Sequence, residues 1–253
     1  MNASERFSDR VEDYAKYRPG YPEGLFDLLG RECGLREGCA VADLGSGTGI
    51  FAKALLARSA TVYAVEPNGP MRAAAERELS GDGRFHSVAA TAERSGLADA
   101  SVDLVTCAQS FHWFDKTAAK REFRRVLKPS GWAAIVWNER LDDASPFMVA
   151  YEKALWDHCP DYANADHRNT VEDELREFFA PVPMQTASFP NEQRFDLAGL
   201  VGRSLSSSYA PKPGTNEHAL YLEKLRVLFE KNNLGGTITF AYEAKVFFAP
   251  LNH

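Results

Sequence analysis

Asp43-Leu44-Gly45-Ser46-Gly47-Thr48-Gly49 sets one carboxylate just ahead of three alternating glycines. Such glycines let a backbone turn tightly and let a ligand approach closely. The carboxylate selects the charge of that ligand. Beside a pyrophosphate an unpaired Asp43 is unfavourable; beside an ammonium it is favourable, directly or through water. Glu66 follows about 20 residues on, the spacing of an acid that accepts ribose hydroxyls. Gln109-Ser110-Phe111-His112-Trp113-Phe114 sets an amide and an imidazole among large aromatic rings. Such rings shield a cation and exclude water. His112 can act as a general base near neutral pH or hold a substrate by a hydrogen bond. Tyr14, Tyr17 and Arg18 form a third group, whose guanidinium pairs bidentately with a carboxylate. Arg203 with Ser204, Ser206, Ser207, Ser208 and Tyr209 gathers donors suited to an anionic acceptor.

These groups need elements to carry them. Residues 40–44 read as a short buried strand, and a helix over 48–58 follows the glycines. Strands over 61–65, 84–89, 102–107 and 132–137 alternate with helices over 67–79 and 116–127. The segment 129–131, Pro-Ser-Gly, reads as a turn. Strands alternating with helices predict a parallel sheet covered on both faces. Ligands then bind at the carboxyl edge of the strands, where the glycine loop, Glu66 and Gln109 all fall. Beyond residue 140 the chain reads helical, with Val171, Leu175, Phe178 and Phe179 in one apolar stripe. Strands over 182–189 and 237–249 flank helices over 196–208 and 217–231.

The 253 residues suit one large domain. A net charge of −6 gives no global attraction to nucleic acid or anionic membrane. No apolar run is long enough to span a bilayer. Cys33, Cys39, Cys107 and Cys159 lack CxxC spacing, which favours a reducing cytoplasm. Asp157, His158, Cys159, Asp161, Asp166 and His167 cluster without zinc spacing, so no metal is expected. Arg121, Arg124, Arg125 and Lys128 read as a solvated basic face.

The glycine loop alone leaves alternatives open. Gly47-Thr48-Gly49-Ile50-Phe51-Ala52 fits the GxGxxA form of a dinucleotide site, which with Glu66 describes an NAD-linked oxidoreductase. Asp43 argues against that ligand. A non-catalytic cofactor-binding or interaction protein is a second alternative.

The loop, Glu66 and the apolar fourth strand together resemble class I S-adenosylmethionine-dependent methyltransferases of the type 11 kind, over residues 36–137. Phe7, Tyr14, Tyr17-Arg18-Pro19-Gly20-Tyr21-Pro22 and the segment 109–114 resemble the small-molecule branch that includes trans-aconitate and quinone methyltransferases. The resemblance implies a Rossmann-like α/β fold with seven strands, order 3-2-1-4-5-7-6, strand 7 antiparallel. It implies S-adenosylmethionine as cofactor, with methionine held by Asp43, Gly45, Ser46, Gly47, Thr48 and Gly49, ribose by Glu66, and Pro67 as a further cofactor contact. Tyr14, Tyr17, Arg18 and Gln109 would complete that site, and Met71 is a candidate for the adenine face. The family segment Gly-Asp-Ala-Glu is here Ala90-Thr91-Ala92-Glu93, so Thr91, Ala92 and Glu93 take the adenine positions with a weaker acceptor. His112, Trp113, Trp137, Arg203 and Tyr209 are the candidate acceptor contacts. One domain results: a lid over 1–35, a cofactor core over 36–137, and helical additions over 138–181 and 190–236. The expected activity is methylation of a small organic acceptor, on a carboxylate or hydroxyl oxygen, by a monomer or homodimer.

Overall fold

Short apolar runs form strands here because both faces of the sheet are covered. The computed structural model describes residues 11–163 and 171–252, except the side chains of Asp13, Tyr14 and Val171. Phe7, Asp166 and His167 and the side chain of Tyr14 therefore lie outside the described residues. β1 (Ala40–Leu44), β2 (Thr61–Val65), β3 (Phe85–Val88), β4 (Val102–Ala108) and β5 (Leu127–Arg140) pair in parallel. β6 (Gln185–Phe195) and β7 (Ile238–Pro250) complete a sheet of order β3-β2-β1-β4-β5-β7-β6. β7 is antiparallel to both its neighbours. Order and reversal are those the resemblance implies.

Among the described residues, three apolar clusters hold the layers. α2 (Glu23–Cys33), α3 (Ile50–Leu56) and α4 (Gly69–Leu79) cover one face, with Leu25, Leu29, Leu55 and Ala75 against Val41, Leu104 and Val136. α5 (Lys116–Val126) and α7 (Val171–Phe179) cover the other, with Phe123, Leu175, Phe178 and Phe179 against Val105 and Ile135. The described part of the apolar stripe over 171–179 is thus core. α6 (Pro146–His158), α8 (Leu197–Leu205) and α9 (Asn216–Asn232) form a cap, packed on Phe240 and Tyr242 beyond the sheet edge. α1 (Val11–Tyr17) lies against α8 and α4, so it spans the cap and the cofactor side.

Three expectations need correction. The 129–131 turn is part of β5, which begins at Leu127 with an irregular register opposite Val102 and Leu104. A bulge there absorbs Pro129 without ending the strand. β6 runs on through Pro190 to Phe195, because it is the edge strand and its proline needs no ladder partner. The basic face of α5 is not merely solvated. Arg125 pairs with Asp99 and with the buried Glu122, and Lys128 with Asp103. Among the described residues, no helix is long and apolar enough to cross a membrane.

Candidate functional site

β1 delivers Asp43 to the sheet edge opposite Thr106 of β4. Thr106 Oγ1 donates to Asp43 Oδ1 at 2.9 Å. The other carboxylate oxygen is buried with no hydrogen-bond partner, and Asp43 is 1% exposed. Burial first, and then the nearby Glu66 carboxylate, push the Asp43 carboxyl up to about 7. The hydroxyls of Ser46 and Thr48 are also buried without a partner. An empty hydrogen-bond capacity at three neighbouring positions marks where a polar ligand belongs.

The glycines of the loop do different work. Gly45 has φ +70°, and a Cβ there would lie 2.6 Å from both Cβ and Oγ of Ser110. That contact is fixed, because Ser110 Oγ donates to Leu44 O at 2.9 Å and accepts from the Cys107 thiol at 3.1 Å. Gly47 has φ +56°, and its Cβ would meet only Met71 Sδ, at 3.9 Å. Gly45 therefore serves packing within the protein, and Gly47 faces open space. Gly45→Ala should destabilise the fold by about 2–4 kcal/mol, from strain and overlap together. Gly47→Ala should cost about 1–2 kcal/mol, from strain alone. Urea unfolding of the two variants measures the difference.

Glu66 closes β2 and is 7% exposed. Its Oε2 accepts from Gly47 N at 2.9 Å and its Oε1 from Asn68 N at 2.8 Å. Burial raises its pKa, and those two amides oppose the rise. Each oxygen retains acceptor capacity for a ribose hydroxyl. Asn68 caps α4 through Met71 N, which seats the buried Met71 beside the loop. Pro67 is exposed next to it, as is Thr91 across the β2–β3 edge, while Ala92 is buried. Glu93 accepts from Asp115 N at 3.0 Å, so its carboxylate braces the start of α5.

At the exit of β4, Gln109 has φ +59°, a costly conformation for a residue with a side chain. Its Nε2 donates to Asn138 O at 3.0 Å. Asn138 Nδ2 and Asn191 Nδ2 both donate to Gly20 O, at 3.0 and 2.9 Å. The strained Gln109 thus ties β4, β5, β6 and the N-terminal segment together. His112 lies in a 3-10 turn, Phe111–Trp113, with its ring 4.6 Å from that of Trp113, which is 37% exposed. Phe111 and Trp137 join the opposite core with Phe247 and Phe178. Because strand residues alternate, Trp137 is turned away from the face that carries Asn138 and Arg140.

The cap brings Tyr17, Arg18, Arg203 and Tyr209 together. The Tyr17 ring packs on Gly202, and Gln193 Nε2 donates to Tyr17 O at 3.2 Å. Arg18 Nη2 donates to Ser206 O at 3.1 Å. Arg203 Nε donates to Tyr242 OH at 3.0 Å, and Tyr242 donates to Gln193 Oε1 at 3.2 Å. Tyr17 and Arg18 are thus held against the cap. Sequence reasoning missed Arg140, Tyr162, Gln193 and Tyr242. Arg140 pairs with Asp142 at 2.7 Å, with Glu152, and with Tyr162 OH at 2.8 Å. Arg140 alternates with Asn138 on β5 and Tyr242 with Ala244 on β7, and that spacing is the sequence signal for this layer. Among the described residues, no three His, Cys, Asp or Glu side chains converge in a metal-binding group.

The fold is the Rossmann-like methyltransferase fold. Residues 42–135 match the family model described as a methyltransferase domain. The chain is 38% identical over 150 residues to an uncharacterised methyltransferase-like protein of Schizosaccharomyces pombe, covering 59% of this chain and 57% of that one. It is 38% identical over 138 residues to an uncharacterised methyltransferase of Mycobacterium tuberculosis, covering 53% and 52%. The chain thus spans little more than half the length of these relatives. A solved structure from Anaeromyxobacter dehalogenans, assigned as a type II methyltransferase, superposes with TM-score 0.71 at 24% identity, covering 93% of this chain and 98% of that one. Phosphoethanolamine N-methyltransferase 2 of Haemonchus contortus, solved with S-adenosyl-L-methionine, gives 0.57 at 14% identity, covering 98% and 58%. That cofactor's groups suit the donors and acceptors present here. The orphaned Asp43 oxygen suits an ammonium, Glu66 a ribose diol, and the space at Gly47 close approach of the chain between them.

Proposed function

We propose that this chain transfers the methyl group of S-adenosylmethionine to an oxygen of a small organic acceptor. The buried, unpartnered Asp43 oxygen at the mouth of the glycine loop carries this reading. A pyrophosphate would meet that carboxylate unfavourably, which disfavours the dinucleotide alternative. Asp43 holds the ammonium, with Ser46 and Thr48 lining the loop, and Glu66 holds the ribose while bracing Gly47. Met71, Pro67, Thr91 and Ala92 border the adenine. The cofactor supplies a methyl group already activated by a sulfonium, with a neutral leaving group.

What remains for the protein is alignment and exclusion of water. Gln109, fixed on Asn138, positions the reacting ends at the β4–β5 rim. His112 and Trp113 wall that rim, and the imidazole takes the proton of a hydroxyl acceptor. Arg203 and Tyr209 contact the rest of the acceptor from the cap.

Calorimetric titration with S-adenosylhomocysteine, with NAD and NADH alongside, tests the reading. One saturable site for the homocysteine product supports it. Tight NAD or NADH binding without a response to that product overturns it. Glu66→Gln should weaken product binding by about tenfold or more, because the amide loses a charge-assisted bond to ribose and sets its NH2 against Gly47 N or Asn68 N.

A further inference from the structure

Arg72 breaks two local rules. It closes the first turn of α4, where the helix dipole disfavours a cation, and that turn carries no acid to offset it. Its partner Glu76 lies four residues further on, the weaker order for such a pair, at 3.6 Å. Both side chains of the pair are partly exposed, so the attraction is small. Glu76 is held more closely from β3, where Ser87 Oγ donates to it at 2.6 Å. The ion pair therefore does not account for Arg72. A residue that breaks local rules marks a functional position when another contact offsets the loss.

That contact is with the backbone of the ribose acid. Arg72 Nη1 donates to Glu66 O at 2.9 Å and reaches Pro67 O at 3.5 Å. Glu66 N donates to Val88 O at 3.0 Å, so β3 holds the same residue from its other side. The Glu66 carboxylate accepts from Gly47 N and Asn68 N. Among the described residues, these other donors to Glu66 are backbone amides, whereas Arg72 is a side chain and can be removed by substitution. The electrostatics run the same way. Burial raises the Glu66 carboxyl, and the amides of Asn68 and Gly47 and then the Arg72 charge oppose that rise. A hydroxyl bonds more strongly to an ionised acceptor than to a neutral one.

A carboxylate free to turn must be ordered when its ligand arrives, and one already fixed need not be. Resting on the methyltransferase reading, we propose that Arg72 is a positioning residue for the cofactor ribose: by locking the carbonyls of Glu66 and Pro67 it aims the Glu66 carboxylate at the ribose hydroxyls, without touching the cofactor itself. Arg72 then acts through Glu66, and its effect is confined to ligands that carry those hydroxyls.

The test compares S-adenosylhomocysteine with its 2′-deoxyribose analogue by calorimetric titration of the full chain. The wild type should prefer the hydroxylated ligand by about tenfold or more, as expected for a charge-assisted hydrogen bond. Arg72→Met keeps an aliphatic stem and a good helix former while removing the donor. It should lower that preference to about threefold or less and leave affinity for the analogue within about twofold of wild type. Arg72→Lys, whose ammonium still donates to a carbonyl, should keep most of the preference. Adding Arg72→Met to Glu66→Gln should lower the preference no further, because both changes act on one bond. If Arg72→Met does not fold, Arg72→Gln takes its place with the same expectation. An undiminished preference in the variant that folds overturns the proposal. So does an equal loss for both ligands, which would make Arg72 part of the α4 scaffold. Wild-type binding of both ligands without preference overturns the ribose role of Glu66, and the proposal with it. Failure to bind S-adenosylhomocysteine at all is a different result, and overturns the function on which this rests.

Discussion

Asp43→Asn should weaken S-adenosylhomocysteine binding by about 100-fold or more without unfolding the protein. Removing one partner of a buried charge pair costs about 2–5 kcal/mol of binding, much of it from the other charge left unpaired. The substituted amide would keep an oxygen for the Thr106 hydroxyl, so the β1–β4 contact survives. It would turn an NH2 group toward the ammonium in place of a carboxylate oxygen. The free protein should tolerate the change, because a carboxylate whose Oδ2 is buried and unpartnered is a burden until the ligand arrives. The sign of the pH dependence follows from the same burial. The folded Asp43 carboxyl sits near 7, above its ordinary value of 3.8. Between those values the native state holds a proton that the unfolded chain has lost. Its contribution to stability is therefore fully present below about 4 and is lost as pH rises through 7. Asp43→Asn should remove that slope from the unliganded protein. Binding runs the other way, because the ligand needs the ionised form. Affinity for S-adenosylhomocysteine should rise as pH climbs from 6 to 8, by about tenfold over the whole range. Calorimetry across that range on wild type and variant checks both statements. Unweakened binding by Asp43→Asn would mean that the loop takes no ammonium.

The cofactor half of this site was legible because its chemistry is local in sequence. Asp43, three glycines and Glu66 follow one strand, one turn and the next strand, and the parallel-sheet rule sets their places. Sequence could not show that Gly45 answers to Ser110 and Gly47 to open space, since both read as turn glycines. Cys107 reads correctly as a buried thiol, and burial pushes it up to about 12. The acceptor half was legible only in pieces. Arg203 and Tyr209 stand out beside serines, but their partners come from α1, β5, β6 and β7. Tyr242 reads as one apolar step of an alternating strand, and Arg140 as a charge in a loop beyond a strand that reads as ending at 137. The extra residues of β5 carry Asn138 and Arg140 over the rim, and a strand read as ending at 137 leaves their shared face unread. Trp137 shows the same lesson in reverse, because a one-residue change of parity moves an aromatic ring from the site to the opposite core.

Gly202→Ala should unseat the N-terminal helix while leaving the protein at least as stable to heat. Alanine favours an α8 interior by about 1 kcal/mol over glycine. A Cβ at Gly202, however, would lie 2.1, 2.3 and 2.6 Å from three atoms of the Tyr17 ring. The ring is the far end of a side chain, so it yields by swinging off α8 rather than by straining the helix. The displacement does not stop there. Tyr17 O is held by Gln193, Arg18 by Ser206 and Ser207, and Gly20 O by Asn138 and Asn191. Moving α1 therefore draws Arg18 from Ser207 Oγ, which Arg203 Nη1 also reaches at 3.3 Å. Two readouts follow that need no knowledge of the acceptor. Trypsin cleavage after Lys16 should quicken by about tenfold, as the segment opens more often. S-adenosylhomocysteine affinity should change by less than about twofold, because Asp43 and Glu66 do not touch α8. Adding Tyr17→Ala to Gly202→Ala should do nothing further, since both changes break the same contact. Wild-type proteolysis would show that α1 keeps its place without the Tyr17 seat. A loss of cofactor affinity of about tenfold would place Tyr17 at the cofactor instead, and α1 would then guard the glycine loop rather than the cap.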